Sequence, residues 1–466
     1  MLPRFGANYA CLRLPMRQND SLTEGNIFRT LIRFALPVLL ALFLQALYGG
    51  VDLLVVGQFA ETADVSGVAT GSMLMQTITG FITGLSMGVT ILVGRRIGQQ
   101  RPEDAGRAIG GGIFFFLLLA VLFTGGIVIG AEGLARFMNA PEEAFAQTST
   151  YIRICGAGSL FILAYNLLGS IFRGLGDSTT PLITVAIACV LNIFGDLFFV
   201  AVLDMATAGA ALATVLAQAV SVLASLLLIR RKTLPFTFTR HHIRFDREVI
   251  GTELRLGIPV GLQDLLVGIS FLVIQMIING IDVVSSAGVG VAEKICAFVM
   301  LVPSAYMQSM AAFTAQNRGA QKPERARKAL GYGIATSIAV GLVIAYISFF
   351  HGDLLSRIFS KDPAVIAASH NYLRAYSIDC LLTPFLFCFI GYFNGCGKTL
   401  FVMLQGILGA FGVRVPVVYF VSLIPGVSLF QIGLGTPAST TVQIILCLIM
   451  FFHMNRKERA QLRPDL

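Results

Sequence analysis

Three polar side chains stand within apolar stretches of this 466-residue chain, and their types suit the binding of a proton or a hard cation. Asn192 and Asp196 are four residues apart in the apolar run 181–203, so a helix places them on one face. Asp52 stands near the end of an earlier apolar run, 31–58. A carboxylate at bilayer depth costs about 2.5 kcal/mol or more, and such residues mark functional sites in membrane proteins. The pattern therefore predicts an acidic pocket. The structural alternatives are an interfacial Asp52 and a simple helix–helix hydrogen bond at Asn192 and Asp196.

Two further residues, Asn166 and Thr214, could add oxygen atoms to this pocket. An oxygen-rich, partly anionic site suits a hard cation such as Na⁺, which Asp52, Asn192 and Asp196 would hold. Two carboxylates in one low-dielectric pocket also disfavour double ionisation, and this favours a bound proton. We expect H⁺ as the coupling ion, with Na⁺ as the alternative, and no other metal or cofactor. The eight cysteines form no CxxC pair that would indicate a metal site.

The elements that position these residues follow from composition. The chain is 56% hydrophobic and 13% charged, whereas soluble domains carry about 25% charged residues. Helices are the one open-ended structure that satisfies its backbone in lipid. The pattern therefore predicts an all-α membrane protein with twelve transmembrane helices, and excludes a water-soluble enzyme. The apolar runs are 31–58, 66–93, 108–130, 152–172, 181–203, 206–229, 253–280, 283–313, 329–350, 374–393, 399–423 and 427–453.

Basic residues in the connecting segments predict the orientation. The segments on one side of the predicted spans carry 27 Lys and Arg, and those on the other side carry 5. This bias places both termini in the cytoplasm and the protein in the cytoplasmic (inner) membrane. Loops at Gln100 and His241 are then cytoplasmic, and a loop at Asp64 is external. The net charge of +9 is explained by this topology, so we expect no nucleic-acid partner.

The chain repeats itself at an offset of 221 residues. Residues 98–103 recur as 319–324, and Phe172, Gly174 and Gly176 recur as Phe393, Gly395 and Gly397. Each repeat holds six spans, so the repeats predict two six-helix bundles related by a pseudo-two-fold axis along the membrane normal. We expect a tail at 1–25, an N-lobe at 26–229, a cytoplasmic linker at 230–252, a C-lobe at 253–454 and a tail at 455–466. The first 20 residues or so are interpreted as a tail, or as the product of a start codon ahead of Met16.

The second repeat does not keep the acidic pocket. At the repeat offset, Asn192 and Asp196 correspond to Val413 and Val417. The second half instead contains three acids and two bases within its apolar runs. These residues either neutralise one another or shape a substrate cavity; they are Asp264, Glu293, Asp379, Lys294 and Arg414.

Several motifs resemble those of multidrug and toxic compound extrusion (MATE) transporters, within the multidrug/oligosaccharidyl-lipid/polysaccharide flippase superfamily. The resemblance covers residues 24–454, and its motifs are Phe34–Pro37, Tyr48–Asp52, Gly98–Glu103, Phe172–Ser178, Asn192–Asp196 and Gly209–Thr214. It implies that Asp52, Asn192, Asp196 and Thr214 occupy the family's N-lobe cation site, with Asn166 as a looser match. One subgroup has functional carboxylates in helices 7 and 10. This chain has Val267 and Thr383 there, so the resemblance does not extend to that second site.

The resemblance implies an ion-coupled antiporter that exports amphipathic, often cationic, drugs and toxins by alternating access. The alternative is a flippase or exporter of lipid-linked saccharide precursors. A flippase that handles pyrophosphate would favour basic residues in its cleft, and only Lys294 and Arg414 lie within the spans. We expect a non-enzymatic, monomeric transporter whose partners are small amphipathic molecules and the lipid bilayer.

Overall fold

The computed structural model describes residues 22–232 and 234–461, and these residues form helices long and apolar enough to cross a membrane twelve times. Both the all-α class and the twelve spans predicted from the sequence are confirmed. The first 20 or so residues lie outside the described part. The spans are α1 (Ile27–Phe59), α2 (Thr62–Gly98), α3 (Pro102–Phe137), α4 (Glu142–Ala157 and Ser159–Leu175), α5 (Thr179–Val202), α6 (Ala206–Arg231), α7 (Arg247–Asn279), α8 (Val283–Gly319), α9 (Pro323–Phe350), α10 (Pro363–Gly395), α11 (Thr399–Ser422) and α12 (Leu429–Ala460).

Several spans depart from a regular α-helix. The two parts of α4 meet at Gly158 with a bend of 56°. In α8 the α-helical pattern is interrupted at Met300. The spans α5 and α11 contain π-helical segments at Leu197–Val202 and Leu408–Arg414, a feature that often marks functional sites. Apolar runs predict the length of a span, but they carry no signal for these local irregularities.

The repeat is visible in the backbone as well as in the sequence. The spans α3 and α9 both begin at a proline, which suits the first turn of a helix because it lacks an N–H. The turns that precede them place Gln100 and Gln321 in the left-handed region, with φ of 56° at each. These two residues are 221 positions apart. Equivalent strained turns therefore reverse the chain at the same point of each half.

The first and second halves, α1–α6 and α7–α12, cross through glycines between the middle and one end of the bundle. That end, here the basic end, carries the α2–α3 and α8–α9 turns and the α6–α7 connection. A Cβ on Gly84 of α2 would lie 2.5 Å from the Cα of Gly261 on α7, and one on Gly257 would overlap the backbone of Leu85. One turn further from the basic end, a Cβ on Gly80 would have nothing within 4 Å. At the basic end itself, a Cβ on Gly98 of α2 would overlap the carbonyl oxygen of Gln316 on α8. Tight backbone contact between the halves therefore extends from the middle of the bundle to the basic end.

Helix α1 packs against both halves. Leu31 and Phe34, near the basic end, pack in a hydrophobic core with Met310 and other residues of the second half. Val55 and Val56, near the opposite end, pack in a core that contains only residues of the first half. The part of α1 that lies away from the basic end thus packs against the first half, and Asp52 lies in that part.

The α6–α7 connection is packed on α3. Phe236 is buried, and a Cβ on Gly106 of α3 would lie 3.1 Å from its ring. A Cβ on Gly110 would overlap the backbone of His242. The prediction of a loop at Asp64 is wrong, whereas the prediction that this end of the bundle is external stays a prediction. Asp64 lies in the first turn of α2, and its carboxylate accepts a 2.7 Å hydrogen bond from Thr207. The exposed turn lies three residues earlier, at Glu61.

Candidate proton or cation site

Three helices of the first half bring the predicted acidic pocket together. Asp52 comes from α1, Asn192 and Asp196 from α5, and Thr214 from α6. Asp52 is 6% exposed and Asp196 is 0% exposed, so both carboxyl groups are buried. Gly195 permits the close approach of α5 to α6, since a Cβ there would lie 3.0 Å from the Cβ of Ala213. The π-helical segment begins directly after Asp196.

The pocket is linked by few hydrogen bonds. The Thr214 hydroxyl donates to Asp52 Oδ2 at 3.2 Å, and Asn192 Nδ2 donates to Thr214 Oγ1 at 3.4 Å. The carboxyl groups of Asp52 and Asp196 lie close together, and the Asn192 side chain lies beside Asp52. An ionised carboxylate only accepts hydrogen bonds. A hydrogen bond between Asp52 and Asp196 therefore requires a proton on one of them.

The pocket has an excess of acceptors. Among the described residues, no donor reaches Asp52 Oδ1, Asn192 Oδ1 or either carboxyl oxygen of Asp196. Within residues 22–232 and 234–461, neither acid forms an ion pair. Buried acceptors without donors are costly and rare in folded proteins. A proton shared by the two acids, or a small cation held by these oxygens, would relieve that cost.

Asn166 has other partners. Its Oδ1 accepts a 2.9 Å hydrogen bond from Thr83 of α2, and its Nδ2 donates to the carbonyl of Ile162 at 2.8 Å. The amide thus joins α2 to α4. A part for Asn166 in the acidic pocket stays a prediction.

Sequence reasoning missed two neighbours of the pocket. Tyr48 lies one turn before Asp52 on α1, and its hydroxyl lies near the Asp52 carboxyl group and the side chain of Gln218. Gln218 lies one turn after Thr214 on α6. The spacing of four residues from two predicted site residues was the available signal. Tyr48 and Gln218 therefore extend the polar surface of the pocket towards the basic end.

In the second half, Asp379 and Arg414 are both buried but do not form an ion pair. Asp379 Oδ2 accepts a 3.0 Å hydrogen bond from Thr383. The Arg414 guanidinium donates to Ser270 at 3.3 Å and lies over the ring of Phe271, 4.4 Å from its centre. In the described ranges, no acid of this group pairs with Arg414 or Lys294. The structure does not show the mutual neutralisation that the sequence allowed.

The other two acids of the second half differ in environment. Glu293 of α8 is half-buried, and no described donor reaches its Oε1. Glu293 and Asp379 both lie near the thiol of Cys296. Asp264 of α7 is accessible to solvent. Glu293 and Asp379 thus share one region, and whether they or Asp264 contact a substrate stays a prediction.

Comparisons with known proteins agree with this architecture. The MatE family model matches twice, over residues 37–198 and 259–420, in keeping with the sequence repeat. The chain is 27% identical to the probable multidrug resistance protein YpnP of Bacillus subtilis, over 89% of this chain and 92% of that protein. It is 22% identical to the multidrug export protein MepA of Staphylococcus saprophyticus, over 83% and 86%.

A solved structure shares the whole fold. It is described as the outward-facing conformation of a multidrug resistance MATE family transporter. The match has a TM-score of 0.88 at 22% identity and covers 94% of this chain and 98% of that one. The arrangement of twelve helices in two bundles is therefore shared.

Proposed function

The chain belongs to the MatE family, and we propose that it is an ion-coupled antiporter that exports amphipathic, often cationic, compounds across a membrane. The observation that carries this proposal is the acidic pair Asp52 and Asp196, buried with more acceptors than donors between three helices. Ionisable groups inside a membrane domain are expensive, and they mark ion pathways and proton relays. The names of relatives such as YpnP and MepA support the class of substrate.

The proposed transport cycle uses the two halves as lobes. We assign residues 26–229 to the N-lobe, 230–252 to the linker and 253–454 to the C-lobe, and place the basic end in the cytoplasm with both termini. The halves are in tight contact from the middle of the bundle, at Gly84 and Gly261, to that end, at Gly98 and Gln316. This conformation would then be closed to the cytoplasm. Opening the glycine crossing while the other end closes gives the inward-facing state.

Ion entry and drug export are coupled because the ion and the drug favour different states of the protein. A proton or Na⁺ that enters from outside satisfies the oxygens of Asp52 and Asp196. If the loaded pocket favours release of the drug and the empty pocket favours its binding, linkage makes each ligand weaken the other. The gradient of the ion then drives export. Acids of the second half, Glu293 and Asp379, would attract cationic drugs.

The flippase alternative has less support. A lipid-linked pyrophosphate needs basic groups that face the cleft, but Arg414 is buried against Phe271 and Ser270. Lys294 is exposed on α8. Anionic groups outnumber these bases in the second half's candidate cavity, so we place drug export first.

The proposal is tested by expression in a host that lacks its own efflux pumps. The wild-type protein should raise resistance to several cationic drugs and lower their accumulation, and dissipation of the ion gradients should abolish both effects. Transport that continues after the gradients have been dissipated would contradict ion coupling. Unchanged drug sensitivity with altered export of lipid-linked saccharides would favour the flippase.

A further inference from the structure

A third buried carboxyl group, that of Glu253, lies at the crossing between the halves. Glu253 is in the second turn of α7 and is only 3% exposed. Its side chain faces α3 of the other half, since a Cβ on Gly112 would lie 3.4 Å from Oε1 and 3.5 Å from Oε2. A Cβ on Gly88 of α2 would overlap its carbonyl oxygen. Burial of this carboxyl group therefore depends on contact between α7 and the first half.

Glu253 has no donor to stabilise a negative charge. Among residues 22–232 and 234–461, no hydrogen-bond partner reaches either of its carboxyl oxygens. The nearby cation on α3, Arg107, is already engaged, because it pairs with Asp246 at 2.7 Å and approaches Asp104 at 3.9 Å. Its hydrogen bond holds the pKa of Asp246 below the usual range, so Asp246 remains an anion. This anion disfavours a second negative charge on Glu253.

The other titratable groups at this crossing are few. On α2, Arg96 hydrogen-bonds to Gln99 at 3.3 Å. On α7 itself, Glu248 is exposed at the solvent end of the helix. In the α6–α7 connection, the His242 ring contacts Thr239 and stacks on Phe238. None of these groups forms an ion pair with Glu253 in the described part of the chain, so a proton is the simplest neutralising ligand.

A small polar cavity lies close to Glu253. Its volume is about 30 Å³, and residues of α2, α3 and α7 line it, among them Arg96, Arg107, Glu248, Val249 and Thr252. Val249 and Thr252 lie within one turn of Glu253 on the same helix. A space of this size is large enough to hold a water molecule. Water at this position would lie beside the turn of α7 that carries Glu253, and opening of the crossing would let it reach the carboxyl group.

We propose that Glu253 is a second proton-binding site, which holds a proton while the glycine crossing is closed and releases it to the basic end when the crossing opens. This inference rests on the proposed alternation of the two lobes, but not on the acidic pocket or on the identity of the coupling ion. Closure buries the carboxyl group without a partner and so requires its neutral form. Opening hydrates the group and permits ionisation.

The sign of the pH effect follows by linkage. The closed state binds one proton more than the open state at any pH above the ordinary titration of an exposed glutamate. The ratio of closed to open protein then falls by up to about tenfold for each unit of pH increase. Alkaline pH should thus open the basic end, and acidic pH should close it.

The test measures the width of the basic end with spin labels. Glu103 and Glu324 are exposed, begin α3 and α9, and occupy equivalent positions of the two repeats. Labels on cysteines at these sites, in a background with Cys11→Ser and Cys396→Ser, give a distance distribution in lipid nanodiscs from pH 5.5 to 9. The six remaining cysteines are buried. We expect the long-distance population to grow with pH in the wild type and to stay small at every pH in Glu253→Gln.

Glu24→Gln is the control, because it removes an exposed carboxylate at the basic end that lies outside the crossing and outside this cavity; it should retain the wild-type pH profile. The series is repeated with Asp52→Asn and Asp196→Asn present, so that the acidic pocket no longer titrates. Loss of the pH response only in that background would assign it to the pocket and overturn the proposal for Glu253. An identical pH profile in wild type and Glu253→Gln would overturn it too. A distance that responds neither to pH nor to substrate would contradict alternating access itself.

Discussion

Gly84 of α2 lies against Gly261 of α7 so closely that a Cβ on Gly84 would be 2.5 Å from the Cα of Gly261. Small residues at such a crossing let two helix backbones approach each other in a membrane, where lipid offers no hydrophobic driving force. The atoms in the way are backbone atoms, which cannot move aside as a flexible side chain can. The crossing is thus a contact that a single methyl group should prevent.

Gly84→Ala should hold the lobes apart at the basic end. Overpacking typically costs about 1–3 kcal/mol, which shifts a two-state ratio roughly 5- to 150-fold. We expect export to fall accordingly and the spin-label distance between positions 103 and 324 to lengthen. Gly80→Ala, one turn away, is the matched control, because its Cβ meets nothing within 4 Å. Equal export by the two alanine variants would show that the crossing need not close.

The acidic pocket predicts opposite effects on function and stability. Asp52→Asn and Asp196→Asn should each abolish ion-driven export while membrane expression remains normal. Each change replaces a buried carboxyl group that has too few hydrogen-bond donors around it with a neutral amide that carries its own donor. Thermal stability should therefore stay the same or rise. Asp64→Asn is a useful control, since that carboxylate lies outside the pocket and is satisfied by Thr207. Export at the wild-type rate by either pocket variant would remove that residue from the coupling site.

Lipid thickness explains why the fold was predictable and its details were not. A span needs about 20 apolar residues, so all twelve helices could be located from composition. Helical spacing placed Asn192 beside Asp196, the apolar run around Asp52 marked it as a second buried acid, and the family resemblance supported Asp52 and Thr214 as site residues. No sequence pattern predicts how α4 is rotated relative to α2. That rotation determines that Asn166 accepts a hydrogen bond from Thr83. The sequence therefore located the pocket but not every contact within it.

Charged residues near the ends of spans were harder to interpret. Glu253 stands at the start of an apolar run, close to Arg255, and resembles an ordinary surface charge in the sequence. Its burial results from Gly88 and Gly112 on two other helices, which only the packed structure brings together. Asp64 gave the opposite error, because a two-residue turn between α1 and α2 leaves it within a helix. Both cases depend on packing between helices rather than on local sequence.

The orientation of the chain gives a labelling prediction. If the basic end is cytoplasmic, single cysteines at Gln100 and His241 are protected from an impermeant maleimide in intact cells. A cysteine at Glu61, in the exposed α1–α2 turn at the opposite end, should react. All three should react after the membrane has been permeabilised. Reaction at position 241 from outside would reverse the topology and, with it, the side to which the crossing closes.

The coupling ion can be assigned with the Asp52–Asp196 pair as the reference. We predict protons, because the two carboxyl groups lie close enough to share one and because like charges in one buried pocket disfavour double ionisation. Sodium is the alternative, since Asn192 Oδ1 and the carboxyl oxygens that lack donors could also form part of a cation shell.

Proteoliposomes loaded with a cationic drug separate the two ions. A pH gradient imposed at fixed Na⁺ should drive export in the wild type, and a Na⁺ gradient at fixed pH should not. Asp52→Asn and Asp196→Asn should lose the response, whereas Asp64→Asn should keep it. Export driven by Na⁺ alone, with no response to the pH gradient, would assign the pocket to sodium. In that case the same two substitutions should abolish the sodium response, because the same oxygens would hold the cation.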